Sequence, residues 1–423
     1  MLLGKKALVI GLGVSGKAAV EFLLFLGYDV SGVDQKKTEF KEVESLGLTL
    51  LNESEIECLK SFSLVILSPG IPSSHPLIIQ AIDEGVEVIG EVELALRYMK
   101  QPAVAITGTN GKTTVTLLVE HILRSSGKKA KALGNVGDAL TKYMITADPE
   151  EIAVIELSSY QLERIESKVF DAAVILNITP DHLDRYSSLK EYAQAKVRIE
   201  DMIKSQGVLY VYEDVLEGYL ELFSGSFFSF GMELSSITLH FLTGHDRINA
   251  NAAWLLCSKL GVEEEAFIRG LKTFKKPSHR IEFVKEVSRV SYYDDSKGTN
   301  VDAVIKAVDS MSGSGVLIAG GVDKRASYLP WKGAFQDKVS HVFLIGEAAH
   351  KIQEELGLFF NVKIVDSLEI AVREASMIAA PGEFVLLSPG CSSFDMFCDY
   401  RQRGKEFQRF VGLLEERGDY YEP

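Results

Sequence analysis

The stretch "VAITGTNGKTT", residues 104–114, decides how this chain is read. An apolar run over 103–107 ends at Gly108, and a helical pattern over 114–123 starts just beyond it. Between them lie Gly108, Thr109, Asn110, Gly111, Lys112, Thr113 and Thr114. Glycines let backbone N–H groups come close to phosphate oxygens. A lysine adds a point charge beside the terminal phosphates, and a threonine hydroxyl can reach Mg2+. The full G-x-x-x-x-G-K-[ST] pattern is not met, because Ile106 stands where its first glycine belongs. The strand–loop–helix setting favours a phosphate site over a tight turn with a chance lysine.

A second glycine loop lies upstream in "ALVIGLGVSGKAAV", residues 7–20. Gly11, Gly13 and Gly16 follow an apolar run, and Asp34 closes the next one. That spacing is a dinucleotide-binding fingerprint. Around both loops, short apolar runs alternate with longer amphipathic segments, the pattern of parallel sheets covered by helices. Expected strands are 6–11, 28–34, 64–68 and 87–89 in a first unit, then 103–107, 152–156 and 172–177 in a second. A third unit has 290–294, 316–319, 342–345, 362–365 and 384–387. Junctions at "RYMKQPA" (97–103) and "FKKPSHR" (274–280) divide the chain into domains 1–97, 98–277 and 278–423. The fold expected is α/β with three domains: a Rossmann-like N-terminal domain, a central P-loop ATPase-type parallel sheet and a C-terminal Rossmann-like domain. Polar clusters follow nearly every apolar run, so they should line the carboxyl edges of the sheets, where ligands bind.

Bulk properties narrow the partners. A chain of 423 residues exceeds what one core can serve, and its net charge of −14 argues against nucleic acid or an anionic membrane. No apolar run is long enough to span a bilayer, and the glycines interrupt the N-terminal run before a signal peptide could build. Four cysteines without a C-x-x-C pair suit free thiols in a reducing compartment, so a cytoplasmic location is expected.

Glu156 ends the run "IAVIE", and His182 follows "AAVILN" within "NITPDH". If both strands neighbour the one before the phosphate loop, both side chains arrive beside a bound triphosphate. A carboxylate is a suitable hard ligand for Mg2+. A histidine could ligate or merely hydrogen-bond, and the adjacent Asp181 could fix its tautomer.

With "GTNGKTT", "ELSSYQL" (156–162), "NITPDHLDRY" (177–186), "AKVRIE" (195–200) and "DDSKGTN" (294–300), the chain resembles the Mur ligase family across all three domains. The segment "LSPGCSSFDMFCDYRQRGKEF", 387–407, resembles most the member that adds D-glutamate to UDP-N-acetylmuramoyl-L-alanine. The resemblance implies an ATP-dependent ligase of peptidoglycan precursor synthesis that works through an acyl phosphate. It also implies that the first glycine loop binds a UDP-sugar, not a nicotinamide cofactor.

Residue by residue, the resemblance places Gly13, Val14 and Ser15 at the pyrophosphate, Asp34 and Gln35 near the uracil, and Ser68 and Gly70 in support of the same substrate. Asn135, Ser158 and Gln161 are further UDP-sugar contacts. Residues 108–114 hold ATP, with Asn249, Arg280, Asp295 and Lys297 as further nucleotide contacts. Thr113 and Glu156 match ligands of one Mg2+ and His182 of a second. Lys196 matches a lysine carried as a carbamate; without the family, it reads as a helix-surface lysine paired with Glu200. Thr299, Lys324, Ser393, Phe394 and Tyr400 match the D-glutamate pocket, although Ser392 and Ser393 also read as a helix N-cap. An exposed strand end is the alternative for Asp294 and Asp295. One departure stands out: Asp246 follows His245 where the family usually has asparagine, and an aspartate cannot donate to adenine. Partners are then small molecules only, and the chain is expected to be a monomer. A sister ligase or folylpolyglutamate-type ligase adding another amino acid, a Rossmann oxidoreductase and a non-catalytic nucleotide-binding protein remain the alternatives.

Overall fold

The computed structural model describes residues 4–35, 44–231 and 244–415. Its chain divides into two compact units. The first comprises residues 1–177 and 192–274, the second residues 178–191 and 275–423.

Two parallel sheets form the first unit. β1 (Lys6–Ile10), β2 (Asp29–Val33), β3 (Thr49–Leu50), β4 (Leu64–Leu67) and β5 (Val88–Gly90) are ordered β3-β2-β1-β4-β5. The order reverses between β1 and β4, so the loops after these two strands flank the crevice where such sheets bind ligands. The second sheet is built from β6 (Ala103–Thr107), β7 (Ala130–Gly134), β8 (Ile152–Glu156), β9 (Phe170–Ile175), β10 (Ile203–Tyr212) and β11 (Phe228–Phe230). Its order is β11-β10-β9-β6-β8-β7, all parallel. β6 lies between β8 and β9, as the placement of Glu156 required. Every residue of β6 and β8 is buried, which explains why both read as unbroken apolar runs. Helix Glu91–Leu96 fastens the first sheet to the second. Glu91 Oε1 accepts bonds from the Thr141 N–H (2.7 Å) and hydroxyl (2.6 Å), and Glu93 accepts from the Ser167 hydroxyl at 2.9 Å.

The second unit holds one sheet: β12 (Glu282–Val287), β13 (Val290–Asp294), β14 (Gly315–Gly320), β15 (Val339–Ile345), β16 (Asn361–Ile364) and β17 (Phe384–Leu387). Its order is β12-β13-β17-β14-β15-β16, with only β12 antiparallel. Cores lie on both of its faces, around Trp331 and Phe335 on one and Phe343 and Phe407 on the other.

Strands expected from the sequence are present within one or two residues at most ends, while β3, β7, β10, β11 and β12 are additional. The helix that carries Lys196 stops short of Glu200. The α-helix Leu189–Val197 tightens into a 3-10 turn, Arg198–Met202, and the chain then enters β10. Among the described residues, no helix is long and apolar enough to cross a membrane.

Candidate active site

In the first unit, the phosphate loop joins β6 to helix Lys112–Ser125. Gly108 (φ 150°) and Gly111 (φ 87°) adopt backbone angles that side chains disfavour. A β-carbon on Gly111 would also press on Asn249, which the helix Gly244–Lys259 delivers to the loop. Asn177, just past β9, clamps the turn. Its carbonyl accepts the Thr109 N–H at 2.9 Å, its side-chain oxygen accepts the Asn110 N–H at 2.7 Å, and its amide donates to the Asn110 carbonyl at 3.0 Å. Thr109 Oγ1 lies 3.2 Å from the Tyr192 hydroxyl. The first helical turn carries no acidic residue, so its positive end suits an anion.

Two ammonium groups meet at this turn. Lys112 Nζ donates to the carbonyls of Gly108 and Thr109, each at 2.8 Å, and Lys196 Nζ donates to the same Gly108 carbonyl at 2.8 Å. Lys196 is 1 % exposed and lies 4.6 Å above the Tyr192 ring. The surface pairing with Glu200 is therefore corrected. Glu200 caps the turn at Ser224 and Gly225 instead, accepting their N–H groups and the Ser224 hydroxyl.

Glu156 ends β8 and is buried. Its Oε1 accepts from Asn135 Nδ2 at 2.8 Å, but its buried Oε2 has no hydrogen-bond partner. A carboxylate oxygen left so costs on the order of 1–3 kcal/mol or more. A hard cation with oxygen ligands, such as Mg2+, would satisfy it, and the Thr113 hydroxyl that opens the helix after the phosphate loop is of the matching ligand type. The residues present fit such an ion.

The N-terminal glycine turn is equally built. Asp34 Oδ2 accepts the Leu12 N–H at 2.6 Å, and the Ser68 hydroxyl donates to the Gly11 carbonyl at 2.7 Å. Gly11 has φ 84°, and a β-carbon on Gly16 would collide with the Gly11 carbonyl. Asp34 and Ser68 thus hold the turn from within. Gly13, Val14 and Ser15 open the helix Val14–Leu26, where no side chain caps the backbone and Val14 is 84 % exposed. Gln35 and Gly70 are exposed. Ser158 and Gln161 form a reciprocal capping box on helix Ser159–Leu162, so their polar groups already have partners in the backbone.

In the second unit, Asp181 gathers several donors. It accepts from Lys324 Nζ at 2.9 Å, Asn300 Nδ2 at 3.3 Å and the His182 N–H at 2.9 Å. Burial works against its charge, but Lys324 and then His182 outweigh it and hold the carboxyl below its ordinary range. The His182 ring stands 3.6 Å from Asp181 Oδ2, too far for a hydrogen bond, so Asp181 pairs with Lys324 rather than fixing the histidine's tautomer. His182 itself has φ 56°, rare for a non-glycine residue. Thr299 Oγ1 lies 3.5 Å from Lys324 Nζ.

Asp294 and Asp295 are buried, which corrects the reading of an exposed strand end. Asp294 Oδ2 pairs with His279 Nδ1 (2.6 Å) and Gln408 (2.8 Å), while Glu282 accepts the His279 N–H at 2.7 Å. These carboxylates and the imidazole could crowd a cation, but their polar atoms are joined to one another. Asp295 accepts the Ser388 hydroxyl at 2.7 Å and sits within the field of Arg280. Burial, helped by the Asp294 charge, pushes its carboxyl from 3.8 up to about 7 despite Ser388 and Arg280. The folded chain therefore binds more protons than the unfolded one between these values, and stability falls as pH rises through that window. Asp295→Asn should flatten this part of the melting-temperature profile; parallel calorimetric curves for the two proteins from pH 4 to 8 would contradict the assignment.

Lys297 lies 4.9 Å over the Tyr400 ring. Ser393 is buried and closes a turn through its carbonyl, while Phe394 is 74 % exposed. No helix starts at Ser393; the helix Tyr400–Gly412 is capped by Asp399, which accepts the Gln402 N–H at 2.8 Å. The N-cap reading of Ser392 and Ser393 is corrected accordingly. Arg403, missed in the sequence, is buried and donates to the Ser296 hydroxyl (3.0 Å) and carbonyl (2.9 Å) and to the Cys391 carbonyl (3.1 Å). Asn177, Tyr192 and Asn300 were missed as well.

The chain matches the "Mur ligase MurD-like, N-terminal domain" over residues 5–90, the "Mur ligase middle domain" over 106–253 and the "Mur ligase, glutamate ligase domain" over 279–391. It belongs to the Mur ligase family. The UDP-N-acetylmuramoylalanine–D-glutamate ligase of Protochlamydia amoebophila is 47% identical, with 97% of this chain and 98% of that one covered. The enzyme of the same name from Caldanaerobacter subterraneus subsp. tengcongensis is 38% identical over 96% and 98%. Two Mur ligases of Thermotoga maritima share the fold. The UDP-N-acetylmuramate–alanine ligase has a TM-score of 0.60 at 19% identity over 96% of this chain and 99% of its own. A MurF ligase in complex with ADP has a TM-score of 0.60 at 15% identity over 97% and 96%. For a Mur ligase, the two glycine turns separate naturally. One opens the sheet matched by the N-terminal model, the other the sheet matched by the middle model.

Proposed function

We propose that this Mur ligase uses ATP to join D-glutamate to UDP-N-acetylmuramoyl-L-alanine in peptidoglycan precursor synthesis. The full-length likeness to D-glutamate ligases, 47% in the Protochlamydia enzyme, carries the reading. The domains are assigned as 1–97 for the UDP-sugar, 98–277 for ATP and 278–423 for the amino acid, in a cytoplasmic monomer.

Carboxylate and ammonium do not condense at neutral pH without activation. ATP transfers its γ-phosphoryl to the alanyl carboxylate, giving an acyl phosphate and ADP. The D-glutamate amine then attacks the acyl carbon, and phosphate leaves through a tetrahedral intermediate. Both steps concentrate negative charge, so the chain contributes positioning and cations. Lys112 and the N–H groups of 108–114 hold the β- and γ-phosphates, Asn249 and Arg280 the nucleotide, and Asp295 and Lys297 its ribose and phosphate side. Thr113 and Glu156 would hold one Mg2+ and His182 a second, and such ions would supply positive charge to offset that of the phosphoryl group. Carbamylation of Lys196 would replace one of two cations at the Gly108 carbonyl by an anion able to help organise magnesium. Gly13, Val14 and Ser15 receive the diphosphate of the UDP-sugar, with Asp34, Gln35, Ser68, Gly70, Asn135, Ser158 and Gln161 around it. Lys324, Thr299, Ser393, Phe394 and Tyr400 take D-glutamate, whose two carboxylates need donors.

Phosphate release with ATP and UDP-N-acetylmuramoyl-L-alanine is expected only when D-glutamate is added. Equal release with L-alanine or a diamino acid would point to a sister ligase instead.

A further inference from the structure

The loop that carries Lys324 leaves β14 and has no regular structure of its own until helix Trp331–Phe335. Arg325, beside the lysine, adopts φ 62°, uncommon for a non-glycine residue. The loop is held by two residues, one turn apart, of the helix Ala349–Leu356. Lys351 Nζ donates to Asp323 Oδ2 at 3.0 Å, to Asp323 Oδ1 at 3.2 Å and to the Ala326 carbonyl at 2.8 Å. One turn later, Glu355 Oε2 accepts the Ser327 hydroxyl at 2.9 Å and the N–H groups of Tyr328 at 2.6 Å and Leu329 at 3.0 Å. Asp323 Oδ1 also accepts the Arg325 N–H at 3.0 Å and the buried Tyr328 hydroxyl at 3.1 Å. A cation thus grips positions 323 and 326, and an anion grips 327 to 329. Lys324 lies within the first grip, between Asp323 and Ala326, and its ammonium points away to Asp181 and Thr299.

We propose that Lys351 and Glu355 are positioning residues that set the Lys324 ammonium for a carboxylate of the incoming amino acid. The proposal rests on the D-glutamate reading above and deepens it. Groups one layer behind a binding residue act through its placement, and a displacement of an ångström is costly for a charged contact.

The test is steady-state kinetics of Lys351→Met, Lys351→Arg and Glu355→Gln, each substrate varied in turn, with circular dichroism to confirm folding. We expect KM for D-glutamate to rise roughly tenfold in Lys351→Met and Glu355→Gln, while KM for ATP and for the UDP-sugar stays within about twofold. Lys351→Arg, which keeps the cation, should recover most of the loss. An unchanged KM for D-glutamate in a folded variant, or an equal rise for all three substrates, would overturn the proposal. Should Lys351→Met fail to fold, the near-isosteric Glu355→Gln decides. Should the parent protein refuse D-glutamate, the functional reading fails by itself, and the amino acid it does accept takes that place in the comparison.

Discussion

Lys112→Ala is expected to lower the rate of ADP formation by about a thousand-fold or more, while the chain stays folded. The lysine stands at the first position of the helix after the phosphate loop, and its ammonium is already within 2.8 Å of two loop carbonyls. That places a positive charge where a terminal phosphate would rest against the backbone N–H groups. Its removal takes away transition-state charge stabilisation and two bonds to loop carbonyls, but Asn177 still clamps the turn through Thr109 and Asn110. The change in stability should stay within about 1 kcal/mol. Phosphate release and thermal melting of the same preparation decide the matter. A variant that still turns over ATP at a tenth of the parental rate or better, by rough count, would remove Lys112 from the chemistry. A parent protein that binds ATP but never yields ADP would leave only nucleotide binding.

Glu156→Gln should abolish most activity through the metal rather than through the fold. Glutamine keeps an acceptor for Asn135, which bonds Glu156 Oε1 at 2.8 Å, but replaces the buried, unpartnered Oε2 by an amide with no negative charge. Turnover is expected to fall about a hundred-fold or more, and the Mg2+ concentration for half-maximal rate to rise at least about tenfold. Melting temperature without metal should hold or increase, because a buried charge lacking a partner has been taken away. Mn2+ titration followed by electron paramagnetic resonance gives the affinity independently of turnover. Parental Mn2+ affinity in the variant would refute a metal role for this carboxylate.

What could be read from residue order follows from how each element is buried. β6 and β8 are buried at every position, so each shows as a plain apolar run. β12 reads "EFVKEV" and lies at the antiparallel edge with half its side chains in water, so no run appears. β3 is two residues long, and β10 carries a register shift between Ile203 and Val208 that blurs its pattern. The phosphate loop was legible because its demands are local: two left-handed glycines and a lysine at a helix start. Asn177 was not, because it meets Asn110 from 67 positions away. Polar residues at strand ends pose a further problem, since one residue type serves two purposes. Asp34, Ser68, Ser158 and Gln161 fall where a substrate contact would, yet their side chains bond the neighbouring backbone, and nothing in their spacing separates the two roles.

Arg403 joins the connections that follow three different strands, through Ser296 after β13, Gly320 at the end of β14 and Cys391 after β17. A single guanidinium thereby acts as the keystone of an arch. Each span is too short to keep its own shape, and drift in any one is felt by the other two. Mutational tolerance there should be pooled, so that a change harmless to one connection alone becomes visible once a second is loosened.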